Sequence, residues 1–125
     1  MSKKIAIIGG GNLGAAIADG LIMSEFSRPV EISITRRNLS PLSRFAERGC
    51  MVHSDNKKAV KEAEVVILAV KPYNIADIIK EIKPLLNPKK HVVVSVITGV
   101  WLEQLQKAIG KPVPVIRAMP NTAIA

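Results

Sequence analysis

Ile5-Ala6-Ile7-Ile8-Gly9-Gly10-Gly11-Asn12-Leu13-Gly14 joins a short apolar run to GxGxxG without a break. The run predicts a buried β-strand, the glycines a tight turn, and the following residues a helix. Each glycine has its own task. Gly9 permits the turn, Gly11 removes a Cβ from the path of an approaching pyrophosphate, and Gly14 lets helix and strand pack closely. Leu13, Ile17 and Leu21 recur every four residues with small Gly14, Ala15, Ala16 and Ala18 between them, the pattern of a helix laid against a sheet. GxGxxG alone matches any glycine-rich turn by chance. A strand before it and a helix after it point to a dinucleotide cradle, with phosphates on the free N–H groups of the helix N-terminus.

Working outward, apolar runs and amphipathic segments alternate to the end of the chain. Residues 30–35 (Val30-Glu31-Ile32-Ser33-Ile34-Thr35) predict a second strand, entered from Ser27-Arg28-Pro29. Ser40 as N-cap, Pro41 at the first helical position, a Leu42, Phe45, Ala46 stripe and a stop at Gly49 predict a helix. Residues 50–53 predict a short third strand, and Asp55 or Asn56 can cap a helix over 57–63. The wholly apolar runs 65–70 and 92–97 predict strands buried on both faces. Ile75, Ile78, Ile79, Ile82 and Leu86 form the stripe of the helix between them. Leu102, Leu105 and Ile109 give a last helix before Gly110, and Pro112 and Pro114 confine 113–116 to an edge strand. This alternation predicts an α/β fold: a doubly wound parallel sheet of the Rossmann type, in a single domain spanning 1–125.

Composition agrees. A chain of 125 residues, 48% hydrophobic and 3% aromatic, can bury one aliphatic core. No apolar run is long enough for a membrane span, and Lys3-Lys4 leads directly into fold-forming sequence, so neither an anchor nor a targeting peptide is expected and a cytoplasmic location is. The net charge of +8 is spread in pairs such as Arg36-Arg37, Lys57-Lys58 and Lys89-Lys90 without interleaved aromatics, so no nucleic-acid partner is expected. The single Cys50 reads as a buried, inert thiol. His53 and His91 lack ligand spacing and read as surface residues, and no metal is expected.

In such a sheet the ligand lies beyond the carboxyl ends of the strands, here 9–12, 35–38, 53–56, 69–72 and 97–99. A site preferring NAD has an acid at the end of the second strand. Thr35-Arg36-Arg37-Asn38 has none and offers a hydroxyl, two guanidinium forks and an amide, which suits a 2′-phosphate and favours NADP(H), with NAD(H) possible. Asn56 is placed to reach a ribose or to cap its helix. Lys71-Pro72 ends a buried strand near the expected nicotinamide ribose, and Tyr73 flanks the same cleft or covers the helix start. No nucleophile–base arrangement and no acid–base carboxylate pair stands out, which is compatible with hydride transfer carried by a coenzyme.

Several segments together resemble pyrroline-5-carboxylate reductases. Residues 7–14 look like the coenzyme loop of that family, Leu68-Ala69-Val70-Lys71-Pro72 like its fourth-strand segment, and Arg117-Ala118-Met119-Pro120-Asn121-Thr122 like its signature before a second domain. Ser95-Val96-Ile97-Thr98-Gly99-Val100 is bulkier than the family's small-residue version. The resemblance implies that Gly9, Gly10, Gly11, Asn12 and Leu13 hold the pyrophosphate, and Thr35, Arg36 and Arg37 the 2′-phosphate. It places Asn56 on the adenosine side, and Ala69, Val70, Lys71, Pro72 and Thr98 at the nicotinamide half. It further implies reduction of a small cyclic imino acid to proline with NAD(P)H, and a helical domain for substrate and dimerisation that would follow Ala125. This chain is therefore expected to be the coenzyme-binding part, inactive or weakly active alone, with catalytic residues unassigned and a homo-oligomer expected only of the full-length protein. A stand-alone NADP-sensing module and the coenzyme domain of a hydroxyacid or prephenate-type dehydrogenase are the alternatives.

Overall fold

The computed structural model describes residues 3–118. Short apolar runs become strands where helices cover both faces. The elements are β1 (Ile5–Ile8), α1 (Asn12–Met23), β2 (Ile32–Thr35), α2 (Ser43–Glu47), β3 (Met51–His53), α3 (Asn56–Glu62), β4 (Val65–Leu68), α4 (Ile75–Ile82), β5 (Val92–Ser95), α5 (Leu102–Ile109) and β6 (Val115–Arg117). All strand pairs are parallel, in the order β3-β2-β1-β4-β5-β6, which is the doubly wound arrangement expected. From β1 the chain builds one half of the sheet, then returns to β4 and builds the other. The turn after β1 therefore stands where the strand order reverses.

Because successive strand side chains point to opposite faces, β1 feeds two cores. Ile5 and Ile7 pack with Ala18, Ile32, Ile34, Leu42 and Phe45. Ala6 and Ile8 pack with Val60, Leu68, Ile79, Ile82, Leu105 and Ile109. The register sets His53, Thr35, Ile8, Leu68, Ser95 and Arg117 in one row across the carboxyl edge of the sheet. On the helical side, Asp19 of α1 takes a bidentate pair from Arg44 (2.8 and 2.8 Å) and a third bond from Arg48 (3.2 Å), fastening α2. Arg44 holds the Asp19 carboxyl below the usual carboxylate range.

Several boundaries differ from expectation for local reasons. The second strand starts at Ile32, not at Val30, because Pro29–Glu31 forms a 3-10 turn closed by the Glu31 carboxylate on the Arg28 N–H (2.9 Å). A 3-10 turn, Ser40–Leu42, precedes α2; the Ser40 side chain caps nothing, and Ala46 is exposed while Leu42 and Phe45 are buried. Asp55, not Asn56, caps α3 by accepting the Lys58 N–H (3.2 Å). The runs 65–70 and 92–97 are strand only to Leu68 and Ser95, since the chain turns out toward the cleft. Cys50 is buried as expected, and burial pushes its thiol pKa up. Met119-Pro120-Asn121-Thr122 lies outside the described residues. Among the described residues no helix is long and apolar enough to cross a membrane.

His91 is not a surface residue. It is 2% exposed, its Nδ1 accepts the Asn87 N–H (2.9 Å), and its Nε2 stands 2.9 Å from the Val60 carbonyl. A ring that accepts at Nδ1 and donates at Nε2 is the neutral tautomer. Burial holds its pKa below the ordinary 6.5, with Lys90 adding to the effect and the Val60 carbonyl opposing it.

Two outcomes follow. A Cβ on Gly14 would collide with the Gly9 carbonyl oxygen, which is backbone and cannot move aside. Gly14→Ala should lower the unfolding free energy by about 1–3 kcal/mol in urea titration, and an unchanged midpoint would contradict this packing. The unfolded chain protonates His91 more readily than the folded one, so stability should fall as pH drops through 6.5. Thermal melts between about pH 7.5 and about pH 5.5 should show a smaller loss in His91→Gln than in the parent; parallel curves would contradict the neutral ring.

Candidate functional site

The glycine turn is built by steric exclusion. Gly9 takes φ +104°, and a Cβ there would stand 2.8 Å from the Ala69 carbonyl oxygen. The N–H groups of Gly9 and Gly10 both donate to the Thr35 carbonyl oxygen (3.3 and 2.7 Å), which ties the turn to the end of β2. Across the switch point, Ala69 N–H donates to the Ile8 carbonyl (2.9 Å). Nothing lies within 4 Å of a Cβ built on Gly11, so the space above this residue is open. The first bond of α1 runs from Ala15 N–H to the Gly11 carbonyl (2.9 Å), leaving the amides of residues 12–14 to point out of the helix end. No acidic residue in the first turn offsets the positive pole of that helix.

A cleft of about 550 Å³ opens over this turn. Ile8, Gly9, Gly10 and Gly11 form its floor. The end of β2 supplies Thr35, Arg36, Arg37 and Asn38, and the segment after β3 supplies Ser54 and Asn56. Ala69, Val70 and Lys71 line it after β4, and Asn74, just before α4, closes it with Asp77, Ile78 and Glu81 of α4. Of the residues expected at a site, Gly9, Gly10, Gly11, Thr35, Arg36, Arg37, Asn56, Ala69, Val70 and Lys71 thus meet in one place. Asn12 and Leu13 stand beside it in the first turn of α1, while Pro72, Tyr73 and Thr98 are exposed and do not line it. His53 is half-buried at the end of the strand row and stays off the cleft.

The donors and acceptors are sorted by internal bonds. Thr35 is 2% exposed, and its hydroxyl donates to Asn56 Oδ1 (2.5 Å), so it orients a neighbour where the sequence suggested a direct contact. Asn56 is left with its NH₂ group for the cleft. Asn38 Oδ1 accepts the Ser40 N–H (3.2 Å), leaving Asn38 likewise with its NH₂. Arg36 Nη1 donates to the Gly10 carbonyl (3.2 Å) and steadies the turn, whereas Arg37 is exposed and makes no ion pair among the described residues. The β2 side of the cleft is therefore a wall of donors and positive charge, a surface that receives an anion with several acceptor oxygens.

The sequence does not mark Asn74, Asp77 and Glu81 for the cleft, and Ile78, read there as part of the apolar stripe, packs against the core and also borders the cleft. The usable signal was the four-residue spacing of Asp77 and Glu81 in the helix that follows β4.

A protein family described as NADP oxidoreductase, coenzyme F420-dependent, matches residues 4–99. Pyrroline-5-carboxylate reductase 1 of Dictyostelium discoideum is 38% identical over 120 residues, covering 96% of this chain and 22% of its own length. A solved structure of a pyrroline-5-carboxylate reductase from Coxiella burnetii superposes with a TM-score of 0.90 at 37% identity, covering 98% of this chain and 45% of that one. The Plasmodium falciparum pyrroline carboxylate reductase, solved with NADP bound, shares the fold at a TM-score of 0.83 and 20% identity, with 96% and 43% covered. The chain thus spans less than half the length of these relatives.

Thr35→Val removes the bond to Asn56 while keeping the shape of the strand. It should cost about 0.5–1.5 kcal/mol of stability, with Thr35→Ser near the parent, by chemical denaturation. Equal losses in both variants would show that the hydroxyl does not hold Asn56.

Proposed function

The chain belongs to the family described as NADP oxidoreductase, coenzyme F420-dependent, and from that premise we propose that it binds NADP(H) as the coenzyme-binding part of a pyrroline-5-carboxylate reductase. The observation that carries this reading is the glycine turn facing a donor-rich, positively charged wall: open space over Gly11 on one side, and Arg37, Asn38 and Asn56 on the other. A pyrophosphate fits the helix end because no Cβ fills the space above Gly11 and the amides of residues 12–14 point outward. The 2′-phosphate fits the end of β2, where no carboxylate opposes it and Arg37 is free to fork onto two of its oxygens. A ribose diol without phosphate is held in an NAD site by an acid at this position, and the end of β2 carries none.

Bound in this way, the reduced nicotinamide would supply a hydride to the carbon of a cyclic C=N bond while the ring nitrogen takes a proton, giving a secondary amine. The chain's own contribution is positional: Ala69, Val70 and Lys71 border the nicotinamide half, and the carbonyl of Ala69 packs against Gly9. Holding the coenzyme still is a substantial part of the rate effect in such reactions. The imino-acid substrate and the proton donor are proposed to belong to the part of the relatives' length that this chain does not share, so the 125 residues should bind coenzyme with little or no turnover. Titration with NADPH followed by an assay with pyrroline-5-carboxylate tests the reading: a folded chain that binds neither reduced coenzyme would overturn it.

Arg37→Glu should weaken NADPH by roughly tenfold or more and leave NADH within about threefold, read by coenzyme fluorescence. Arg36→Glu, which also releases the Gly10 carbonyl, should weaken both. Equal losses for the two coenzymes in Arg37→Glu would count against a phosphate at the end of β2.

A further inference from the structure

Between α1 and α2 stands a clamp that lies outside the cleft. Asp19 of α1 accepts one N–H from each terminal nitrogen of Arg44 at 2.8 Å and a third from Arg48 at 3.2 Å, and the Arg44 guanidinium lies 4.1 Å over the Phe45 ring. An isolated ion pair on a surface adds little to global stability. A bidentate pair joined by a second arginine also fixes direction, because the planar fork sets the angle at which the two helices meet.

α2 is an element in need of such a hold. It has five residues, too few to persist as a helix by themselves, and neither it nor the 3-10 turn before it carries a side-chain cap. Leu42 and Phe45 anchor it to the core. Leu42 also reaches the glycine turn: a Cβ on Gly10 would meet its side chain at 2.8 Å. Upstream, the chain runs from Arg36, Arg37 and Asn38 through that 3-10 turn into α2. The segment that presents Arg37 to the cleft is therefore held at one end by β2 and at the other by α2, whose outer side is fastened by Asp19.

We infer that Asp19 is a positioning residue for the coenzyme's 2′-phosphate: by clamping α2 it keeps residues 36–42 where Arg37 meets that phosphate. This rests on the NADP(H) reading above and extends it from residues that line the cleft to one that does not. The glycine turn is tied independently to the Thr35 carbonyl, so the pyrophosphate keeps its seat when α2 loosens, and the clamp acts on the difference between the two coenzymes. Cys50, the chain's single cysteine, reports on the clamp. Its thiol is buried in the core that α2 covers, and its N–H donates to the Phe45 carbonyl at 3.0 Å, so it becomes reachable when α2 lifts.

The experiment measures NADPH and NADH binding by coenzyme fluorescence on the parent chain, Asp19→Asn and Asp19→Glu, and the rate at which an aromatic disulfide reagent labels Cys50 with and without coenzyme. Asp19→Asn should weaken NADPH roughly fivefold or more and leave NADH within about twofold. Asp19→Glu, which keeps the charge, should bind NADPH within about threefold of the parent. On an Arg37→Ala background, Asp19→Asn should cost no further NADPH affinity. In the parent, saturating NADPH should slow Cys50 labelling roughly fivefold or more, and NADH much less. Equal losses for the two coenzymes in folded Asp19→Asn, or labelling of the parent that NADPH slows no more than NADH does, would overturn the inference while leaving the coenzyme site intact. The labelling test needs no substitution, so it decides the matter even where a variant fails to fold. Failure of the folded parent to bind either coenzyme would instead sink the NADP(H) reading, and this inference with it.

Discussion

The Thr35 carbonyl oxygen, holding the N–H groups of both Gly9 and Gly10, is the constraint from which the cleft is built. It locks the turn after β1 to the end of β2, across the strand pair that the register already aligns at Ile8 and Thr35. With the turn so fixed, Gly9 must adopt a positive φ and Gly14 must pass against the Gly9 carbonyl, and no side chain can be accommodated at either place. The same residue works a second time through its side chain, which is nearly buried at the edge of the cleft and sets the orientation of Asn56. Arg36 then closes the circuit by returning to the Gly10 carbonyl.

Charge is distributed to suit this arrangement. The strong ion pairs, Asp19 with Arg44 and Arg48, lie between α1 and α2 and leave the basic groups at the cleft unneutralised. Internal hydrogen bonds engage the amide oxygens of Asn38 and Asn56, and their NH₂ groups with Arg36 and Arg37 make this side of the cleft rich in donors. Acceptors are supplied from the far wall by Asp77 and Glu81. A ligand that suits this cleft carries negative charge toward the helix N-terminus and the end of β2.

Much of this was legible in the sequence because the relevant constraints are local. GxGxxG after an apolar run specifies strand, turn and helix within ten residues, and the apolar stretches at 65–70 and 92–97 mark β4 and β5, which run only to Leu68 and Ser95. The segments at the strand ends were legible as a set because parallel topology brings them to one edge. What escaped depended on contacts between distant residues. Thr35 reads as a free hydroxyl until Asn56, twenty-one positions away, is seen to accept its hydrogen bond. His91, beside two lysines, reads as surface until the Val60 carbonyl and the Asn87 amide are brought to it.

The measurement that bears most directly on the central claim is a titration of the isotope-labelled chain with NADPH, followed amide by amide in heteronuclear NMR spectra. The largest shifts should fall on the amides of Gly9 through Gly14, with a second group at Arg36 to Asn38 that is weaker or absent with NADH. A folded chain whose glycine-turn amides do not move at saturating coenzyme, or whose shifts cluster away from β1 and α1, would contradict it.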